Sequence, residues 1–252
     1  MKNLTLLLMF ISIVGCAVNP VTGKQDFVII SENEEIAMGR EYNAQILRKN
    51  SIYQDQELQD YVQAIGESLA SKSHRPNLIY RFTILDSPDV NAFALPGGYI
   101  YINRGLMSYL SSEEELAAVL GHEIGHVTAR HSVKQYSQSQ LMSILSTAIE
   151  IKAGSTAGNI ANLASGALLS GYGREMELEA DELGAEYISE DGYSPQGMYD
   201  VLSVLKDQEV YSKEIAKQRG QEPASYHGVF ASHPSNDKRL QEVIDNVSIL
   251  NP

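Results

Sequence analysis

Cysteine is almost missing from this 252-residue sequence: Cys16 is the only one, so no disulfide can form within the chain and no thiolate cluster can hold a metal. Cationic side chains are scarce, 19 Lys and Arg against 32 Asp and Glu, for a formal net charge of −13. That balance argues against DNA or RNA as a partner, because phosphate backbones are gripped by clustered Lys and Arg. Long apolar runs are also wanting. Leu4 to Val14 is apolar but falls short of the roughly 20 residues that a bilayer span needs. Residues 137–172 are rich in Ser, Ala, Gly and Leu, yet Glu150 and Lys152 make them too polar to cross. What is present is 43% hydrophobic content over a length that suits one domain of moderate size.

The amino terminus carries its own signal. Lys2 precedes the apolar run Leu4–Val14, which has the length of a signal-peptide core, and Ile13-Val14-Gly15-Cys16 then resembles a bacterial lipobox. The resemblance implies cleavage before Cys16, acylation of its thiol, and a mature chain tethered by lipid outside the cytoplasm. Ala17 in the following position points to the outer membrane. Residues 16–30, with Asn19-Pro20 and Thr22-Gly23, read as turns in a short tether.

Beyond it the periodicity is helical. Ser31 and Glu34 form a capping box for a helix to about Lys49, and Leu58, Tyr61, Val62, Ile65 and Leu69 place a second helix over 55–71. Residues 79–85, 90–95 and 99–102 alternate as strands, with Pro96-Gly97-Gly98 turning between the last two. Asn91-Ala92-Phe93-Ala94-Leu95 is either a core strand in a hairpin or an exposed edge to which an extended peptide can add. Residues 137–172 suit one or two mobile helices over a site, or a packed helical hairpin. Helices are expected over 172–191, from Ser194-Pro195 to about 206, and up to Val247, with a polar loop over 207–230.

The central signal is His122-Glu123-Ile124-Gly125-His126, preceded by the apolar Leu116, Val119 and Leu120 and by a capping box at Ser112 and Glu115. On a helix, a four-residue step turns about 400°, so the two imidazoles lie one above the other and reach one cation. Glu123, about 100° round from His122, flanks them and is free to face a water. Catalytic zinc takes three protein ligands and leaves a fourth position open. With cysteine excluded, the acidic stretch Arg174–Asp181 offers the third. Glu177 and Asp181 share a face, so one can ligate while the other holds the ring N–H of a ligating histidine. Glu179 points to the opposite side, toward an exposed ion pair. His131, nine residues past His122, falls on the far face and is expected to cap the helix end.

Taken together, His-Glu-Ile-Gly-His, Glu-Leu-Glu-Ala-Asp at 177–181, Asn-Ala-Phe-Ala-Leu-Pro-Gly-Gly at 91–98, and Ser-His-Pro at 232–234 followed by Arg239 resemble the gluzincin metallopeptidases of the HtpX, prenyl-protein endopeptidase and periplasmic LoiP and BepA group. The resemblance implies an α+β fold: a mainly helical zincin-type domain with a small mixed sheet and an exposed edge strand beside the HExxH helix. It implies one Zn(2+) held by His122, His126 and Glu177, Glu123 as the base, and Asp181 in support. Asn91, Ala92, Phe93 and Ala94 map to the substrate-binding edge, and His233 and Arg239 to positions near the metal. The chain lacks the transmembrane helices and the C-terminal helical repeats of larger members, so the expected organisation is a signal peptide over 1–15, a tether over 16–30 and one metallopeptidase domain over 31–252.

The expected function is therefore hydrolysis of peptide bonds in unfolded or misassembled proteins of the bacterial envelope, close to the outer-membrane assembly machinery. Arg239 and His233 are the candidates for stabilising an oxyanion, and His233 can alternatively fill the fourth coordination position and hold the enzyme latent. A lipid-anchored chaperone using the same groove for binding alone is the competing reading. The intact Glu123 argues against it, since a binding module has no use for a base.

Overall fold

The computed structural model describes residues 16–153, 171–220 and 237–250. The amino-terminal stretch, expected as a tether, holds two short strands. β1 (Cys16–Val18) and β2 (Gln25–Phe27) pair antiparallel, with Cys16 opposite Phe27. Asn19 closes the connection: its Oδ1 accepts from the N–H groups of Val21 and Thr22, and its Nδ2 donates to Asp26. The turn residues were legible, but strands of three residues are too short to show a period. Asp26 pairs with Lys134 at 2.8 Å and the Ile29 N–H donates to Ser137, so the hairpin is docked on a later helix.

α1 (Glu32–Lys49) begins on the expected capping box of Ser31 and Glu34, and α2 (Gln56–Lys72) on Asp55. β3 (Arg81–Leu85), β4 (Ala92–Leu95) and β5 (Tyr99–Asn103) form a sheet in the order β3-β5-β4. β5 lies between a parallel neighbour and an antiparallel one, and all five of its residues are buried. Gly97 and Gly98 turn the chain between β4 and β5 at φ 75° and 89°, where a side chain is strained.

A single turn, α3 (Arg104–Met107), leads to α4 (Glu113–Thr128), which carries the HExxH segment. Every residue of α4 from Glu115 to Thr128 is buried, so it is the central rod of the molecule. Its cap differs slightly from a capping box: Ser112 accepts from the Glu115 N–H, but the Glu115 carboxylate reaches back to the N–H of Ser111. α2, the sheet, α6 (Arg174–Glu190) and α7 (Gln196–Gln218) pack around α4. α5 (His131–Ala153) follows α4 directly, and α8 (Asp237–Leu250) lies against α6 and α7. The architecture is α+β and mainly helical, as expected. Among the described residues, no helix is long and apolar enough to cross a membrane.

Two expectations shift. α7 continues to Gln218, where a loop from 207 was read. Its second half is polar nearly all round, which hides helical periodicity, but Glu, Lys and Gln are good helix formers. Residues 137–153 are the latter part of one continuous helix, α5; residues 154–170 lie outside the described portion.

Candidate metal centre

The centre is built by two helices that meet backbone to backbone. On α4, Gly121 and Gly125 face Ala180 and Gly184 on α6. A Cβ on Gly125 would sit 2.9 Å from the Ala180 carbonyl oxygen, and one on Gly184 would sit 2.8 Å from the His122 amide nitrogen. Only residues without side-chain bulk permit this approach. It carries Glu177 and Asp181, the i and i+4 positions of α6, onto the face of α4 that bears the histidines.

The Nε2 atoms of His122 and His126 lie 2.9 Å apart. Glu177 sets Oε2 3.6 Å from His122 Nε2 and Oε1 3.5 Å from His126 Nε2. Tetrahedral zinc with bonds of about 2.0–2.1 Å needs donor separations near 3.3 Å, so two imidazole nitrogens and a carboxylate at these distances suit such an ion. All three residues are buried and their donor atoms lie within 4.8 Å of one another. No other group of His, Cys, Asp and Glu among the described residues has this character. His122 turns Nδ1 to Asp181 at 2.9 Å, fixing which ring nitrogen faces the ligand position. The sequence left Glu177 and Asp181 interchangeable; the geometry puts Glu177 between the rings and Asp181 behind one of them.

His126 is held differently. Its Nδ1 lies 2.8 Å from Nδ1 of His131, and His131 Nε2 lies 3.0 Å from Glu179 Oε2. Both outer residues contradict the sequence reading. Extrapolating 100° per residue past Thr128 sent His131 to the far face, but α4 ends there and Arg130 takes a left-handed φ of 57°. The chain thus swings His131 back against His126, where its side chain is 0% exposed. Glu179 is drawn to it rather than standing as an exposed ion-pair partner. Burial holds the His131 imidazole below its ordinary pKa, and the His131 N–H lowers that of the Glu179 carboxyl. Tyr172 stacks on the His126 ring, centroids 4.0 Å apart, with its hydroxyl 2.7 Å from Ser132 Oγ. Its phenol is pushed up by burial. No sequence signal marks this turn, since arginine is an ordinary helix former.

Glu123 is buried beside His122, and both line a narrow apolar cleft of about 30 Å³. Ala92 of β4 and Val201, Leu202 and Leu205 of α7 form its other walls. β4 pairs only with β5, so it is the edge of its sheet among the described residues. Ala92 and Ala94 point into the core on the cleft side, whereas Phe93 stacks on Tyr101 across the opposite face, centroids 4.9 Å apart. Asn91 gives its carbonyl to the Asn103 N–H. His233 lies outside the described residues; Arg239 is in the first turn of α8. Cys16 opens β1.

A buried helix with two histidines and a glutamate at HExxH spacing, answered by a glutamate from a second helix, defines the architecture of a metallohydrolase. The profile of peptidase family M48 matches residues 56–246, and the chain belongs to that family. Among curated relatives, the β-barrel assembly-enhancing protease of Yersinia pestis is 28% identical over 92% of this chain and 48% of its own length. The mitochondrial metalloendopeptidase OMA1 of Arabidopsis thaliana is 29% identical over 76% of this chain and 36% of its own. The metalloprotease YcaL of Escherichia coli is 28% identical over 66% and 62% respectively. The chain thus spans about half the length of the β-barrel assembly-enhancing proteases it matches.

Proposed function

We propose that this protein is a zinc-dependent endopeptidase of the bacterial envelope that cleaves unfolded or misassembled proteins near the outer membrane. The observation that carries the reading is the buried His122–His126–Glu177 cluster with Glu123 at the mouth of a cleft walled by an edge strand. The chemistry supplied by a bound zinc ion is Lewis acidity, which polarises a peptide carbonyl and acidifies water. His122, His126 and Glu177 hold that ion, and Asp181 orients the His122 ring. Glu123 takes the proton of the attacking water on its carboxylate and passes it to the leaving amine. The outer edge of β4 binds substrate as an added strand along the stretch from Asn91 to Ala94, so selectivity there comes from extended conformation more than from side chains. Phe93 serves by its main chain, since its ring is committed to Tyr101. An apolar substrate side chain seats against Val201, Leu202 and Leu205. Arg239 and His233 are assigned to the oxyanion, and His233 also to latency.

The envelope assignment draws on the names of the β-barrel assembly-enhancing relatives and on the signal peptide and Cys16 of this sequence. Acylated Cys16 would anchor the hairpin, and with it α5, to the membrane, while residues 31–252 form the peptidase domain. Glu123→Gln tests the chemistry. It should retain stoichiometric zinc while cleavage of unfolded casein is lost; unchanged proteolysis would remove Glu123 from its role. A wild type that binds unfolded outer-membrane proteins without cutting them would establish the chaperone reading instead.

A further inference from the structure

We propose that His131 and Glu179 form a relay that positions the metal ligand His126, a hydrogen-bonded chain running from the buried helix junction to the surface of α6. The inference rests on the reading of His126 as a metal ligand. With Nε2 of His126 turned toward His122 and Glu177, its remaining ring nitrogen, Nδ1, must carry the proton. That N–H points at Nδ1 of His131, 2.8 Å away, which therefore accepts. His131 then carries its own proton on Nε2, and this faces Glu179 Oε2 at 3.0 Å. Each of the two rings has one donor and one acceptor, and the order of atoms leaves one consistent assignment. A ligating histidine ordinarily turns its outer nitrogen directly to a carboxylate, as His122 Nδ1 is turned to Asp181 at 2.9 Å. Here an imidazole is interposed, so the negative charge at the end of the chain sits farther from the metal and partly in solvent, with the Glu179 side chain 29% exposed.

The two ligating histidines are thus supported unequally. Tyr172 closes one face of the His126 ring and leaves it a single direction for its N–H. Rotation of that ring breaks the contact to His131, so the relay fixes the plane in which Nε2 presents its lone pair. His131 is a positioning residue and touches no substrate.

The experiment measures zinc affinity of the full chain by competition with a chromophoric chelator, together with the visible spectrum of the Co(II)-loaded protein. His131→Leu fills the volume without an acceptor and should weaken zinc by about 10- to 100-fold and alter the cobalt spectrum. His131→Asn places Oδ1 where Nδ1 was and should recover most of that affinity. A purely structural role predicts the reverse order, with polar, smaller Asn worse than Leu. Glu179→Gln, at the half-exposed end of the chain, should show a smaller loss in the same direction, and it supplies the test where the buried substitutions do not fold. Wild-type affinity in both His131→Leu and Glu179→Gln, or Asn binding more weakly than Leu, overturns the relay. A wild type that takes up no zinc overturns the metal reading itself, and the two failures are therefore distinguishable.

Discussion

Glu177 is fully buried and sends one oxygen toward each imidazole, whereas Asp181, one turn on, faces the outer nitrogen of His122. Removal of the two carboxylates should therefore have different consequences. Glu177→Ala takes away the proposed third ligand and should abolish zinc retention through dialysis. Asp181→Ala leaves the ligand set complete and should weaken affinity by about 10- to 100-fold. Metal analysis after exhaustive dialysis decides; equal zinc in Glu177→Ala and wild type would exclude Glu177 as a ligand. At this scale the sequence was legible wherever one helix carries the residues concerned. His122, Glu123 and His126 keep their phase on α4, and Glu177 and Asp181 keep theirs on α6. It failed at His131, because the left-handed Arg130 breaks the phase between His126 and His131 and no local pattern reveals where the chain goes next. Glu179 failed with it, its partner being set by that same turn.

Elements meet at this site because side chains were removed from between them. At Gly125, the atoms that a Cβ would meet belong to the backbone of Ala180, which cannot rotate aside. Gly125→Val should therefore push α6 away from α4, costing about 1–3 kcal/mol and carrying Glu177 off the imidazoles. Loss of both thermal stability and zinc affinity is expected, and native values for both would show that the interface is looser than drawn. The C-terminal end of α4 is fastened by charge as well. Glu35 of α1 is 1% exposed and accepts from Arg75 at 2.7 Å and from Arg130 at 2.8 Å, while Arg75 also donates to the Val127 carbonyl. Glu35→Ala would leave buried Arg130 without a carboxylate and Arg75 with the exposed Glu32 alone, for a loss of about 2–4 kcal/mol. Urea denaturation measures it, and a loss under about 1 kcal/mol would mean that water reaches the arginines. Helices with caps and apolar stripes, α1 and α2, were readable to within a residue or two. The pairing of β3 with β5 rather than with β4, the glycine contact between helices and the Glu35 network join residues distant in sequence, and no local signal encodes them.

For the whole molecule, the centre concentrates acidic side chains in the interior. Glu123, Glu177 and Asp181 are each at most 2% exposed, facing two imidazoles that are neutral when they act as ligands. Carboxylates brought this close together out of water are costly without a cation. A divalent ion relieves that cost only in the folded state, where α4 and α6 bring the ligands together, so metal binding is coupled to folding. Stabilisation then follows mass action and reaches about 4 kcal/mol when free zinc is a thousand times its dissociation constant. For a chain of this size that corresponds to roughly 8–16 °C in Tm. Chelation should lower the Tm by that order and re-addition of zinc should restore it, with the shift growing with the logarithm of free zinc. Glu177→Ala should show neither effect, while Glu123→Gln should show both. An unchanged Tm in protein shown by analysis to be free of metal would place the cation outside this cluster.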